Sequence, residues 1–428
     1  MKVLIVGGGG REHALAWALG HSPSVSHVYT APGNPGTGEI GRNLDQIAAT
    51  DVDDLLAFAL KEGINLTVVG PERPLIHGAI VDRFRQEGLR IYGAMAAAAR
   101  LEGSKAFADE FLARYGLTQK WFEVCDAPGA ARDIVLKRGP PVVIKADGDA
   151  FGKGVKVCTT LEEADDWIDR CLVQKEFGAA GERIVIEQCL AGPEVSVQVF
   201  TDGETLVPMV PAQDYKRIGA GDQGPNTGGM GCYSPVPQLD PATLQHILDN
   251  LVAPTIRHMA EEDTPITGTL YAGCMLTDSG PELLEFNCRF GDPETQVVLP
   301  RLSSDLYEVL QAAAEGRLNE AQVQWSPQRC VCVVMASGGY PGAYEKGKPI
   351  TGIMEAEDAG ALVFHAGTAL EDEKLVTAGG RVFGVTGLGD SFAEARRVAF
   401  AGAENIRFEG SYYRPDIAER AERAESSS

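Results

Sequence analysis

Short apolar runs punctuated by glycine dominate the first hundred residues. Residues 2–6, 27–30, 65–69 and 89–92 are apolar and β-rich, and a helical stretch over 12–19 separates the first two. Unbroken apolar runs of this length fit strands buried on both faces. Strand, glycine turn, helix, strand is the order of a doubly wound parallel sheet, which binds ligands at the C-terminal ends of its strands. An Ala-rich helical linker covers 94–100. Strands are then predicted at 142–146, 155–158, 184–187 and 195–200, with an amphipathic acidic helix over 161–172, an α+β pattern unlike the first unit. Residues 211–237 hold too many Gly, Pro, Asn and Asp for regular structure. A loop of that length inside a folded unit is usually functional. A helix over 241–262, strands at 269–276 and 282–286 and a helix over 305–315 follow. Beyond Pro327 come β runs at 330–335, 361–365 and 381–386 and a helix over 392–408. The polar tail, 421–428, is expected to fray.

The length of 428 residues requires roughly two to four domains. Sixty acidic against 38 basic residues, net −22, argue against nucleic acid or an anionic membrane as partner. Anionic small molecules remain compatible, because local Lys, Arg and backbone N–H groups bind them. No apolar run is long enough to span a bilayer, and the N-terminus carries no export pattern. Nine cysteines without a CxxC pair read as reduced thiols, so a cytoplasmic protein is expected. Seven histidines without ligand spacing make zinc improbable.

The richest chemistry lies in Glu285-Phe-Asn-Cys-Arg-Phe-Gly-Asp-Pro-Glu294. Glu285 and Asn287, two apart on a strand, share a face, and Arg289 follows on it. Two oxygen donors without His or Cys suit Mg²⁺ held between protein and nucleotide phosphates. Gly7-Gly-Gly-Gly10-Arg11-Glu12-His13 opens a helix after the first strand, where backbone N–H groups can hold an anion. Its spacing fails the dinucleotide fingerprint, and the second strand ends without a ribose-binding acid. A sugar phosphate fits better, with Arg11 as counter-charge. Asn34 and Glu72, in rigid turns just past predicted strands, line the same rim. Lys145, flanked by Val142, Val143 and Ile144 and followed by the loop Phe151-Gly152-Lys153-Gly154, forms a phosphate clamp that is not a Walker A sequence. Around Glu187 and Glu194 the chain crosses between two β units, a place for an adenine edge and ribose hydroxyls. Asp214, Lys216 and Arg217 in the long loop can sort a zwitterion or an acyl phosphate.

Together these segments resemble the phosphoribosylamine–glycine ligase family, ATP-grasp enzymes of purine biosynthesis. The motifs in order are Gly9-Gly-Arg-Glu-His-Ala14, Pro32-Gly-Asn34, Gly70-Pro71-Glu72, Ser104-Lys105, Lys145-Ala-Asp-Gly148, Gly152-Lys-Gly154, 224–231 and Arg289-Phe-Gly-Asp292-Pro-Glu294. The resemblance implies a multidomain α/β protein. Its parts are a Rossmann-like N-domain (1–101), an ATP-grasp core of two α+β subdomains (102–326, mobile lid about 120–189), a small mixed α/β C-terminal domain (327–422) and a polar tail (423–428). It also implies glycine, 5-phosphoribosylamine and ATP as substrates, joined through glycyl phosphate, with Mg²⁺ or Mn²⁺ at Glu285 and Asn287 and a monomer or weak dimer. Arg289, Asp214 and Lys216 are the expected catalytic residues. ATP is assigned to Lys105, Lys145, Gly152, Lys153, Gly154, Glu187 and Glu194. The other substrates fall to Gly10, Arg11, Glu12, Asn34, Pro71, Glu72, Asp292 and Glu294.

Three positions depart from the family pattern. Tyr215 stands where His is usual, Asp149-Ala-Phe151 replaces Leu-Ala-Ala, and Gln188 replaces a second hinge glutamate. Asp149 is expected to face solvent, away from the triphosphate. Two alternatives are a related purine ligase using bicarbonate or formate and a nucleotide-binding regulator without catalysis; glycine-dependent phosphate release separates them.

Overall fold

The computed structural model describes residues 1–148 and 154–426. The N-terminal sheet is wholly parallel, in the order Arg42–Asn43, His27–Pro32, Lys2–Gly7, Leu66–Val69, Ile91–Tyr92. Val3, Leu4, Ile5 and Val6 have no exposed surface, because helices cover both faces. The chain leaves the central strand Lys2–Gly7 on one side for His27–Pro32 and returns on the other as Leu66–Val69. The crevice at that reversal is walled by the turns at Gly7, Gly33 and Gly70.

The second unit is a lobe of four antiparallel strands, in the order Phe122–Cys125, Ile184–Gln188, Val142–Ala146, Val155–Cys158. Helices Pro128–Arg138 and Leu161–Ile168 pack on it, and a separate core of residues such as Ile144, Trp167, Ile168 and Ile186 fills the space between. A further antiparallel sheet runs Leu206–Pro208, Glu194–Asp202, Thr267–Thr277, Gly280–Asn287. Its last pair shifts register next to Gly273, which faces Glu285, while Cys274 faces Leu283. Leu284 is the extra residue, and its carbonyl is freed for a side chain.

The fourth sheet corrects an expectation. Residues 211–237 are not irregular: Gln213–Asp214 and Gly231–Ser234 are the first two strands of a five-stranded sheet completed by Arg329–Ala336, Arg381–Gly389 and Leu362–His365. Arg217–Gly219 and Gln223–Asn226 pair as a small hairpin. The turn-forming residues hid these strands because their partners lie far away in sequence. The tail is a second correction. Glu419–Ser426 is helical, with Ala421 fully buried, and Glu425 pairs with Arg329 and accepts from the Phe392 N–H. The acidic helix after 161 turns into a π-turn at Asp169–Val173, and the final long helix, Phe392–Asn405, ends three residues early.

Candidate active site

Three lysines from three elements surround Glu285. Lys105 opens the helix Lys105–Arg114 and lies 4.0 Å from the carboxylate; Lys216 approaches to 3.8 Å. Lys145, at the end of the lobe strand, donates to the Leu284 carbonyl freed by the bulge (2.9 Å). Burial alone would raise the Glu285 carboxyl, but Lys216, Lys105, Lys145 and Arg289 outweigh it and hold it at about 2. Asn287, the other predicted metal ligand, accepts from Arg289 (3.1 Å). The pair offers one ionised carboxylate and one amide oxygen, hard donors both. No cluster of three or more His, Cys, Asp or Glu suited to a metal exists among the described residues. That set fits Mg²⁺ or Mn²⁺ completed by phosphates and water, and not a self-sufficient protein cage.

Lys145 is held from behind. Its Nζ lies 2.6 Å from Glu187, whose other oxygen takes Lys120, and Lys120 also reaches Asp109 at 3.2 Å. The Glu187 carboxyl is drawn below the usual range by Lys145 and Lys120 against the cost of burial. Glu187, assigned to ATP by sequence, therefore spends its carboxylate on lysines. Lys120 was missed, since a lysine in a polar stretch before Trp121 carries no distinguishing pattern.

Lys216 also contacts Glu194 at 3.0 Å. Between them and Tyr271 lies a small pocket that includes Ser196, Asp214 and Gly273. Glu294 is fully enclosed, accepting from Ser196 (2.9 Å) and Tyr271 (3.0 Å). Burial, then the nearby Glu294, pushes the Asp214 carboxyl well above the carboxylate range, and its buried Oδ1 has no partner. Arg217 points elsewhere, donating to the Gly224 carbonyl within its own hairpin.

A second cluster joins the N-terminal sheet to the 289–294 turn. Arg289 meets Glu102 at 3.1 Å and Glu72 at 3.8 Å. Arg289 lies within electrostatic range of Glu72, as does Arg11, and the two draw the Glu72 carboxyl down against its burial. Asp292 is likewise lowered, by Arg381 and Arg11, with Arg381 at 2.7 Å. Arg381 and Glu102 were not assigned from sequence. Arg381 reads as a stray charge at a strand start, and Glu102 stands unmarked beside the Ser104-Lys105 motif. A methyl at Gly10 would lie 2.7 Å from Gln296 Nε2, whose amide donates to Asp292.

Several predicted ligands serve the scaffold instead. Glu12 accepts from the Gly9 N–H (2.6 Å) and pairs with Arg11 (2.6 Å), filling space that a methyl at Gly7 or Gly70 would occupy. Pro71 packs beside the same carboxylate wall and caps the short helix Glu72–Ile76. Asn34 is fully committed: its amide donates to Gly8 and His365 carbonyls (3.0 and 2.9 Å) and its oxygen takes the Thr37 N–H. Gly154 flanks the clamp loop, its carbonyl accepting from Ala146. Gly152, Lys153 and Asp149 lie outside the described residues.

A lobe and sheet enclosing lysines, with a carboxylate and an amide at one strand end, are the signs of an ATP-grasp protein, and comparison agrees on the fold. A biotin carboxylase domain from Hydrogenobacter thermophilus, solved with MgADP, ADP and bicarbonate, superposes with a TM-score of 0.72 at 15% identity, covering 96% of this chain and 91% of that one. Profiles described as the phosphoribosylglycinamide synthetase N domain, ATP-grasp (A) domain and C domain match residues 1–102, 103–295 and 330–420. The chain belongs to the phosphoribosylglycinamide synthetase family. A phosphoribosylamine–glycine ligase of Ralstonia nicotianae is 49% identical over 423 residues, 98% of this chain and 99% of that protein. The crystal structure of the phosphoribosylamine–glycine ligase of Thermotoga maritima gives a TM-score of 0.85 at 36% identity, covering 97% and 100%.

Proposed function

We infer that the chain is an ATP-dependent ligase joining glycine to 5-phosphoribosylamine in purine biosynthesis, yielding glycinamide ribonucleotide, ADP and phosphate. The observation that carries this reading is the convergence on Glu285 of Lys105, Lys145 and Lys216, beside the Arg11–Glu72–Arg289–Asp292 cluster. A carboxylate is a poor acyl donor, so a glycyl phosphate is the intermediate. The glycine oxygen attacks the γ-phosphorus, the bond to the β-phosphate oxygen breaks, and ADP leaves. The amine of phosphoribosylamine then attacks the acyl carbon, the carbon–oxygen bond to phosphate breaks, and the amine proton passes to the departing phosphate.

Two anions must meet in the first step, which is why cations crowd the site. Lys105 and Lys145 hold the triphosphate, the ATP assignment of Gly152, Lys153 and Gly154 resting on sequence, with Glu194 toward the ribose and Glu187 orienting Lys145. Lys216 takes the glycine carboxylate, and the unpartnered Asp214 oxygen takes its ammonium. Arg289 neutralises the acyl phosphate. Arg11, Gly10, Glu72 and Asp292 receive phosphoribosylamine, with Glu12, Asn34, Pro71 and Glu294 shaping the walls. Mg²⁺ or Mn²⁺ held by Glu285 and Asn287 would neutralise phosphate charge and make the γ-phosphorus more electrophilic. No helix among the described residues is long and apolar enough to cross a membrane. A cytoplasmic monomer or weak dimer, with the lobe at about 120–189 as a closing lid, completes the reading. Its test is amide formation from glycine, phosphoribosylamine and ATP. Phosphate release driven by bicarbonate and not by glycine overturns it.

A further inference from the structure

Asp214 and Lys216 flank a residue that the mechanism does not use. Alternation along an extended segment sends side chains 214 and 216 to one face and 215 to the other. Tyr215 is buried accordingly, but against the C-terminal segment and not the pocket. Two guanidiniums lie over its ring, Arg414 at 4.6 Å and Arg420 at 4.4 Å from the ring centre. Its hydroxyl accepts from the Ala418 N–H (3.0 Å) and from Arg420 Nε (3.2 Å). Ala418 stands in the left-handed region at φ 61, a conformation that a non-glycine residue keeps only when its surroundings hold it there.

The same segment grips the loop at four more points. Arg414, wholly buried, donates to the Arg217 carbonyl (2.9 Å) and to Asp222 (3.0 Å). Asp416 accepts from the Gly221 N–H (2.9 Å), Tyr412 donates to the Ile218 carbonyl (3.0 Å), and Arg420 reaches Asp222 at 3.2 Å. Two arginines face two aspartates, so charge is balanced around a neutral phenol. Aromatic–guanidinium stacking holds orientation in a way that a flexible aliphatic contact does not. On the other side of the same backbone, Lys216 lies 3.0 Å from Glu194 and 3.8 Å from Glu285.

We propose that residues 412–420 form a clasp which, through Tyr215, sets the position of Asp214 and Lys216, making Tyr215 and Arg420 positioning residues for glycine. The proposal rests on the assignment of Asp214 and Lys216 to glycine. Small misplacement of a reacting group costs rate far out of proportion to any loss of stability.

The test is steady-state kinetics on the full chain, varying each of the three substrates, for Tyr215→Phe, Arg420→Met, Arg420→Lys and Lys216→Met. Tyr215→Phe and Arg420→Met are expected to lower kcat/KM for glycine about tenfold while KM for ATP moves less than about twofold; Arg420→Lys, which keeps a cation on the ring, recovers most of that loss. Wild-type glycine kinetics in both Tyr215→Phe and Arg420→Met overturns the clasp. So does an equal loss for all three substrates accompanied by a fall in melting temperature, the mark of a merely structural role. Should Tyr215→Phe fail to fold, the Arg420 pair decides alone. Wild-type glycine kinetics in Lys216→Met would instead sink the glycine assignment beneath the proposal, a failure distinct from that of the clasp.

Discussion

Acidification should unfasten the contact between the N- and C-terminal parts through two buried imidazoles. His13 lies on the helix that opens at Gly10, and its Nδ1 accepts the His365 N–H at 2.8 Å; its ring meets those of Phe364 and His365, each at 5.6 Å. His365 is enclosed by Phe383 and Thr368. Burial, with a smaller contribution from His365, lowers His13 from 6.5 to about 3, and burial lowers His365 to about 4. Protonation at His13 Nδ1 would also set one N–H against another. Both groups are therefore neutral in the fold down to these values, whereas the unfolded chain takes up protons below about 6.5. Their contribution is complete above 6.5 and is lost as pH falls from there toward 4 and then 3. The unfolded value of each imidazole lies about 1.5 units above pH 5, which is worth ~2 kcal/mol apiece, so the pair removes ~4 kcal/mol. The assay is urea unfolding at pH 7.5 and pH 5, comparing wild type with the double variant His13→Asn, His365→Asn, which keeps an acceptor near each Nδ1. Carboxylate titrations are common to both and cancel. The variant should lose ~4 kcal/mol less between the two pH values. Identical pH dependence in the two proteins refutes the reasoning.

Glu285→Ala should cut glycine-dependent amide formation by at least ~10³-fold with the fold intact by circular dichroism; activity within about tenfold of wild type refutes its place at the centre. Lys120→Met leaves Asp109 without its cation and Glu187 with one, and should destabilise by about 3–5 kcal/mol in urea unfolding; a loss below about 1 kcal/mol means the buried chain of charges is dispensable. Gly70→Ala would place a methyl 2.0 Å from Glu12 Oε1. Displacing that carboxylate should cost about 1–3 kcal/mol and raise KM for phosphoribosylamine more than KM for ATP; unchanged kinetics would show that the wall yields freely.

Four strands of the parallel sheet were legible because they are apolar runs followed by glycine turns, a local signal; the edge strand Arg42–Asn43, two polar residues, was not. That Glu285 and Asn287 share a strand was legible through periodicity, whereas Arg289 lies past the end of that strand, in the turn. What escaped was non-local. Gly231–Ser234 is a strand only because Arg329–Ala336 lies beside it, and no feature of Gly-Met-Gly-Cys announces a partner nearly a hundred residues away. The 419–426 helix has a polar composition, and its order comes from burying Ala421 and pairing Glu425 with Arg329. Sequence also cannot tell a carboxylate that meets substrate from one that braces a neighbour. Glu12, Glu187 and Asn34 stand in motifs, yet their polar atoms are largely spent within the protein.

The five-stranded sheet bears on how the molecule matures. Asp214 sits on a strand whose neighbour, Gly231–Ser234, pairs along its length with Arg329–Ala336, and that strand pairs in turn with Arg381–Gly389. A chain emerging from the ribosome can complete its parallel sheet early, since those contacts span the first hundred residues. The sheet that carries Asp214 must wait until residues 329–389 have been made, so copies lacking them retain the means to fold the lobe of residues 122–188 but not the pocket beside Lys216.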